Sequence, residues 1–180
     1  MLKYLKQILQ LVLSPSHGWD DVEQTSSADA RILTHGFYPL TAVTALSACI
    51  FPQKTVLQTI EDVIITFFMF FVGYFIGLFC LSVTLPKYSE TRPISDAKIR
   101  NYVALTTGML EIIWLLSNFV PATIPLTWFL PVYVLIVAWR GAKYLDIKSQ
   151  LTMRFMVVVM ISIILSPYIF RSVFSLFLPI

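Results

Sequence analysis

One acidic side chain lies inside a long apolar stretch, and its chemistry needs an explanation. Glu111 falls near the middle of the segment 102–120. An ionised carboxylate at the centre of a membrane costs about 2.5–3.5 kcal/mol or more. No lysine or arginine is expected at the same depth in another apolar segment. We therefore expect Glu111 to be protonated, to face water, or to form hydrogen bonds with polar side chains.

Four polar residues in the apolar segments are candidate partners for this carboxyl group. They form, with Glu111, a candidate intramembrane polar site, and they are Asn118, Tyr133, Ser162 and Ser166. Two interpretations stay open. The site binds a proton or a ligand, as intramembrane acids commonly do, or it is a hydrogen-bonded packing contact between helices.

Other catalytic or cofactor chemistry is not indicated. The sequence has no Gly-x-Ser-x-Gly, no Walker-type loop and no His-Glu-x-x-His. Its two cysteines, Cys49 and Cys80, each lie in an apolar run, which predicts packing residues rather than a disulfide or a metal site. We expect no catalytic residue, no cofactor and no metal, and therefore no enzyme.

The composition is that of a membrane protein. Of the 180 residues, 57% are hydrophobic and 13% are charged, whereas soluble domains carry about 25% charged residues. The formal net charge is +3 and no basic stripe is present, so a nucleic-acid partner is not expected.

The apolar runs predict an all-α polytopic membrane protein with five transmembrane helices and an N-terminal amphipathic interfacial helix. Segment 1–33 is predicted to hold the cytoplasmic and interfacial helices, and 34–180 the transmembrane domain. The predicted spans are about 35–51, 62–85, 102–120, 126–139 and 155–170.

The polar residues of segment 1–13 gather on one side of a helical wheel. At about 100° per residue they fall within an arc of about 100°. A segment this short and this well sorted is typical of a helix at the membrane surface, and it can also pack on the bundle. Trp19 is predicted to be an interfacial anchor. The polar arc holds Lys3, Lys6, Gln7 and Gln10.

The basic residues predict the orientation. Eleven lysines and arginines fall in the N-terminal segment and in the segments 86–101 and 140–154, and only Lys54 and Arg171 fall on the opposite side. By the positive-inside rule, the N-terminus is cytoplasmic and the C-terminus lies across the membrane.

Two glycines four residues apart, Gly73 and Gly77, lie in the second predicted span. Such pairs let helix backbones approach closely. They predict helix packing within the bundle, with dimerisation or a chance match as the alternatives.

Three stretches resemble the short bacterial members of the Yip family, the Ypt-interacting, Rab-associated membrane proteins. They are ILQLVLSPSHGWDDV (Ile8 to Val22), YPLTAV (Tyr38 to Val43) and VYVLIVAWRGAKYLDIKSQLTMRFMVVVM (Val132 to Met160). The resemblance covers almost the whole chain. It implies a five-helix protein without known catalysis, in the bacterial inner membrane.

The eukaryotic members are similar to adaptors for Rab GTPases, and they carry a long cytoplasmic arm and an Asp-Leu-Tyr-Gly-Pro motif. This sequence has neither, so Rab binding does not follow from the resemblance.

Two functions are compatible with these patterns. The first is a non-enzymatic membrane protein that organises membrane lipids or partners, with a protein partner or a second copy bound through the bundle. The second is a small transporter, or a subunit of one, that uses Glu111. Prolines that can break helices near a cavity favour the second, and they are Pro121, Pro125, Pro131 and Pro167.

Overall fold

The computed structural model describes residues 1–25, 32–50, 55–89, 94–119 and 126–177. Within these ranges the chain is helical, and the β pairing is an isolated bridge between Ser89 and Ile147. In chain order, the α-helices of the described part are α1 (Leu2–Leu13), α2 (Pro15–Thr25), α3 (Tyr38–Leu46), α4 (Val56–Tyr88), α5 (Asp96–Phe119), α6 (Leu126–Arg140), α7 (Thr152–Val159) and α8 (Ser166–Phe177).

Shorter turns extend several of these helices. A π-helical turn, Leu33–Phe37, leads into α3, and a 3-10 turn, Ser47–Cys49, follows it. A second 3-10 turn, Ser149–Leu151, precedes α7, and the π-helical turn Met160–Ile164 joins α7 to α8.

Three helical segments are long and apolar enough to cross a membrane: Val56–Tyr88, Asp96–Phe119 and Ser149–Phe174. They contain the second and fifth predicted spans, and the third as far as Phe119. The segment Phe129–Arg140 is apolar but shorter. The fold is thus all-helical, as the sequence predicts, with helices that can span a bilayer.

Helix α4 is longer than its predicted span at both ends. It begins at Val56 because Thr55 and Gln58 form a capping box, with the Gln58 backbone N–H donating to Thr55 Oγ1 at 3.4 Å. The helix also continues past Pro86 to Tyr88, although we expected proline to stop it. Pro86 removes a backbone hydrogen bond and crowds the carbonyl one turn before it, but so close to the end of α4 only the last turn is affected.

The last predicted span differs in its second half. The sequence placed Pro167 near the end of a helix, but it lies in the first turn of α8, where its missing N–H costs little. The π-helical turn Met160–Ile164 interrupts the regular α-helix just before Pro167, and α8 then continues to Phe177. Phe51, Val120, Pro121 and Pro125, to which several predictions refer, lie outside the described residues.

Helix α5 is the centre of the bundle. It packs against α1, α3, α4 and α6. Every residue from Asn101 to Glu111 is buried, whereas the segment from Ile112 to Phe119 is partly exposed. After its partly exposed first turn, Asp96–Arg100, the first half of α5 is therefore enclosed on all sides.

Candidate functional site

Glu111 is fully buried where α5 faces α3, with 0% of its surface exposed. The Thr41 hydroxyl donates a hydrogen bond to Glu111 Oε1 at 2.5 Å. The Thr44 hydroxyl lies 3.5 Å from the backbone oxygen of Glu111. The two threonines are three residues apart, so they share one face of α3. Together they join the first predicted span to the third.

The other carboxyl oxygen has a different environment. Glu111 Oε2 is buried and has no hydrogen-bond partner among the residues that the structure describes. The nearby turn of α5 also carries buried hydroxyls without a partner in the same ranges, at Thr106 and Thr107. One neutral donor does not compensate an ionised carboxylate in such a place.

A second polar contact continues the same line between α3 and α5. Asn118 Nδ2 donates to Ser47 Oγ at 2.6 Å, and Ser47 Oγ donates to the Thr44 carbonyl at 2.6 Å. The threonine and serine residues on the α3 side of this line were not among the predicted site residues. The signal was present, because Thr41, Thr44 and Ser47 recur every three residues.

None of the four expected partners forms a hydrogen bond with Glu111 in the described part of the chain. Asn118 lies on the same helix and bonds to Ser47, and the other three lie elsewhere. The Tyr133 hydroxyl donates to the Val12 carbonyl at 2.5 Å, which ties α6 to the end of α1. The Ser162 hydroxyl donates to Val158 O at 2.7 Å, one turn back along its own helix. Ser166 Oγ is buried without a partner in the described part of the chain. The sequence did not distinguish these positions, since helix rotation decides which way each side chain points.

The two glycines of α4 face the last helical segment. A Cβ added at Gly73 would lie 3.2 Å from Ser166 Oγ, and one added at Gly77 would lie 2.9 Å from Ile163 Cγ1. At both glycines, therefore, the backbone of α4 approaches another helical segment of the same chain.

The N-terminal helices are hydrogen-bonded to the bundle. The Tyr4 hydroxyl donates to Ala104 O at 2.6 Å, and its ring fills the space above Gly36 and Gly108. We call α1, α2 and the turn 141–148 the N-terminal cap. The cap closes over the first half of α5, which explains why that half is enclosed.

Trp19 holds the cap to protein rather than to lipid, which corrects its expected role as an interfacial anchor. Its side chain is 3% exposed. Its ring stacks between Tyr102 and Tyr144, at centroid distances of 5.2 and 5.4 Å. Its indole N–H donates to Val137 O at 2.9 Å. An added Cβ at Gly141 would lie 2.6 Å from this ring, so the small residue there makes room for it.

Helix α1 has three faces instead of the two that were expected. Tyr4, Ile8 and Leu11 are buried in the core, and Lys3 and Lys6 are exposed. Between these faces runs a third, apolar and exposed. Its residues Leu2, Leu9 and Leu13 are 85%, 58% and 75% exposed and lie within about 40° on the helical wheel.

A cavity of about 560 Å³ opens between α2 and the segment that runs from the end of α6 to the start of α7. Charged residues of both signs line it: Asp20, Glu23, Asp146, Arg140 and Lys143. Trp19 and Tyr144 also contribute to its wall. The cavity is therefore a polar site at the cap end of the bundle.

Lys98, from the first turn of α5, holds this region together. Its ammonium group lies 2.8 Å from Glu23 Oε1, 3.7 Å from Asp146 Oδ2 and 3.3 Å from the Tyr144 carbonyl. It also lies 5.3 Å from the centre of the Tyr144 ring. Burial raises the pKa of Tyr144 to about 12, although a hydrogen bond with Asn101 opposes the shift.

A groove of about 620 Å³ flanks the second half of α5. It is lined mainly by apolar and aromatic residues, among them Trp114, Pro131 and Tyr168. Glu111 lines neither this groove nor the cap cavity. Among the described residues, no group of His, Cys, Asp and Glu is arranged to hold a metal ion.

Comparison with known proteins adds no relative. No protein-family model, no curated protein and no solved structure matches this chain.

Proposed function

We propose that this chain is a non-enzymatic integral membrane protein of the Yip type that organises lipids and partners at the cytoplasmic membrane surface. It has five transmembrane helices, formed by Leu33–Cys49, α4, α5, α6 and the segment Ser149–Phe174. Its N-terminus is cytoplasmic, in a bacterial inner membrane. The distribution of lysine and arginine supports this orientation.

The exposed apolar face of α1 carries the proposal. A helix packed on a water-soluble surface would leave Leu2, Leu9 and Leu13 in water at a cost, because large exposed apolar patches are unfavourable. At the membrane boundary the same face enters the lipid while Lys6 reaches the headgroups. The depth of α1 in the membrane also fits this location. Tyr4 of α1 contacts Gly108, which lies about 9 Å along α5 from Tyr102, the start of the predicted span.

Fluorescence quenching by lipid tests this location. A polarity-sensitive dye is attached at Leu9→Cys or, as the matched control, at Lys6→Cys, in a background with Cys49→Ser and Cys80→Ser. In vesicles that contain brominated lipids, we expect strong quenching at position 9 and weak quenching at position 6. Equal and weak quenching at both positions would mean that α1 does not lie in the membrane surface.

A second candidate, a small proton-coupled transporter, is favoured by one observation. Glu111 Oε2 is buried and lacks a partner within the described ranges, so it can carry a proton. In proteoliposomes with a pH gradient, such a transporter would show a flux that Glu111→Gln abolishes and Ser117→Ala leaves intact. A flux that is absent from the unmodified chain, or that survives Glu111→Gln, excludes this candidate.

A further inference from the structure

The charged side chains in and beside the cap cavity include as many acids as bases, so the cavity is not a simple basic patch. Its lining carries the acids Asp20, Glu23 and Asp146 and the bases Arg140 and Lys143. Lys98, bound to Glu23 and Asp146, is the third base. A simple basic patch attracts anionic lipid, whereas a site with no net charge has no such preference.

Three of these groups are available to a ligand. Glu23 and Asp146 are engaged by Lys98. Asp20, Arg140 and Lys143 have no ion-pair or hydrogen-bond partner among the residues that the structure describes. All three are exposed and line the same cavity. The site therefore presents one free carboxylate together with two free cations.

We propose that the cap cavity binds a zwitterion that combines a phosphate with a primary ammonium group, supplied as the headgroup of phosphatidylethanolamine. Arg140 and Lys143 bind the phosphate, and Arg140 suits it because a guanidinium can donate two parallel hydrogen bonds. Asp20 accepts hydrogen bonds from the ammonium group. The volume of about 560 Å³ lies within the range of about 300–1,000 Å³ that is usual for ligand pockets.

A choline headgroup fits less well for two reasons. A trimethylammonium group cannot donate a hydrogen bond to Asp20. It is instead recognised by open aromatic faces, and here the Trp19 ring is 3% exposed and already stacked on Tyr102 and Tyr144. The Tyr144 ring already has the Lys98 ammonium group over it, 5.3 Å from its centre.

The level of the cavity in the membrane favours a lipid over a dissolved ligand. The cavity lies where the apolar helix α6 ends and the polar turn begins. Trp139, 44% exposed, contributes to its wall, and exposed tryptophans are common at the membrane boundary. This assignment rests on the proposed function, because it requires the cap to lie at the membrane surface.

Native mass spectrometry of the full chain tests the proposal. The protein is released from mixed micelles that contain equal amounts of phosphatidylethanolamine, phosphatidylcholine and phosphatidylglycerol. We expect one phosphatidylethanolamine to be retained about tenfold more often than either of the other lipids, which corresponds to the loss of one charge-assisted hydrogen bond. Equal retention of the three lipids, or preference for phosphatidylglycerol, would overturn the assignment.

Variants locate the binding and identify its source. Asp20→Asn and Arg140→Gln, both at exposed positions, should each reduce retention about tenfold. Arg154→Gln is the control, because Arg154 is an exposed base in the first turn of α7 that does not line the cavity. An equal loss in the control would refute the site.

Glycerophosphoethanolamine, the headgroup without acyl chains, is added in a parallel arm. If it displaces the lipid at equal concentration, the lipid source is wrong. The dye measurements on α1 do not depend on headgroup type, so failure here and failure of the proposed function are separable.

Discussion

The two halves of α5 have different surroundings, although they belong to one continuous helix. From Asn101 to Glu111 each residue is buried under the N-terminal cap and the neighbouring helices. From Ile112 to Phe119 the helix is partly exposed and borders an apolar groove. The enclosed half accepts a hydrogen bond from Tyr4 at Ala104 O, and its Tyr102 stacks on Trp19, which itself donates to Val137 O of α6. The two halves thus differ in packing: the half under the cap is closely packed on every side, whereas the other half has open space beside the helix.

The largest expected effect comes from adding the same side chain to each half. Gly108→Leu places its Cβ against the Tyr4 hydroxyl and close to Ile8, so the cap must move. We expect a loss of about 3 kcal/mol in the free energy of unfolding, the upper end of the usual cost of overpacking. Ser117→Leu enters the groove and should cost less than about 1 kcal/mol. Unfolding in detergent micelles measures both, and equal losses would mean that the halves are equally packed.

A tryptophan pair gives the second comparison. Trp19→Phe removes the hydrogen bond to Val137 O and part of the stack with Tyr102 and Tyr144. We expect it to cost about 1–2 kcal/mol. Trp114→Phe, beside the groove, should cost about half as much, because this side chain is partly exposed. Thermal unfolding of the two variants in one detergent measures the difference, and the reverse order would contradict the role assigned to Trp19.

High pH should loosen the cap. The pKa of Tyr144 is raised to about 12 by burial, from an ordinary value near 10. The folded state therefore holds this proton more tightly than the unfolded state does. The resulting stability is fully present below about pH 10 and is lost as the pH rises through 12. Two pKa units correspond to about 2.7 kcal/mol, and we expect a loss of about 1–2 kcal/mol, because Tyr144 lines the cap cavity, where solvent screens its charge. Denaturant titrations of the unmodified protein and of Tyr144→Phe isolate the contribution, because the variant lacks it while the other tyrosines remain.

The smallest expected change in stability comes from a substitution at Glu111, where the two halves of α5 meet. Glu111→Leu replaces a carboxyl group that has one donor by an apolar side chain of similar size. Thr41 keeps an acceptor, because its hydroxyl also lies 3.0 Å from Phe37 O. We expect a change within about 1 kcal/mol, in either direction, since replacing a buried polar group by an apolar one is often neutral. A loss of several kcal/mol, measured by unfolding in micelles, would show that the polar contact holds α3 to α5.

The sequence predicted the helices better than it predicted their neighbours. The apolar runs and the position of Glu111 within one of them follow from hydropathy alone. The partner of Glu111 does not, because threonine is common in apolar helices and only the rotation of α3 brings Thr41 to the carboxyl group. Trp19 was ambiguous for a similar reason. A tryptophan at the end of a polar segment has the same pattern whether it faces lipid or, as here, packs between two tyrosines.

The hydrogen bond from Trp19 also has a consequence for the order of assembly. Its acceptor, Val137 O, lies 118 residues further along the chain. At about 5–20 residues per second, synthesis needs roughly 6–24 s to supply it. Until then the indole of α2 has no such acceptor, and the first half of α5 lacks one of its walls. The segment that carries Trp19 is therefore made long before it can reach its final position, and during that interval its apolar residues stay accessible to lipid.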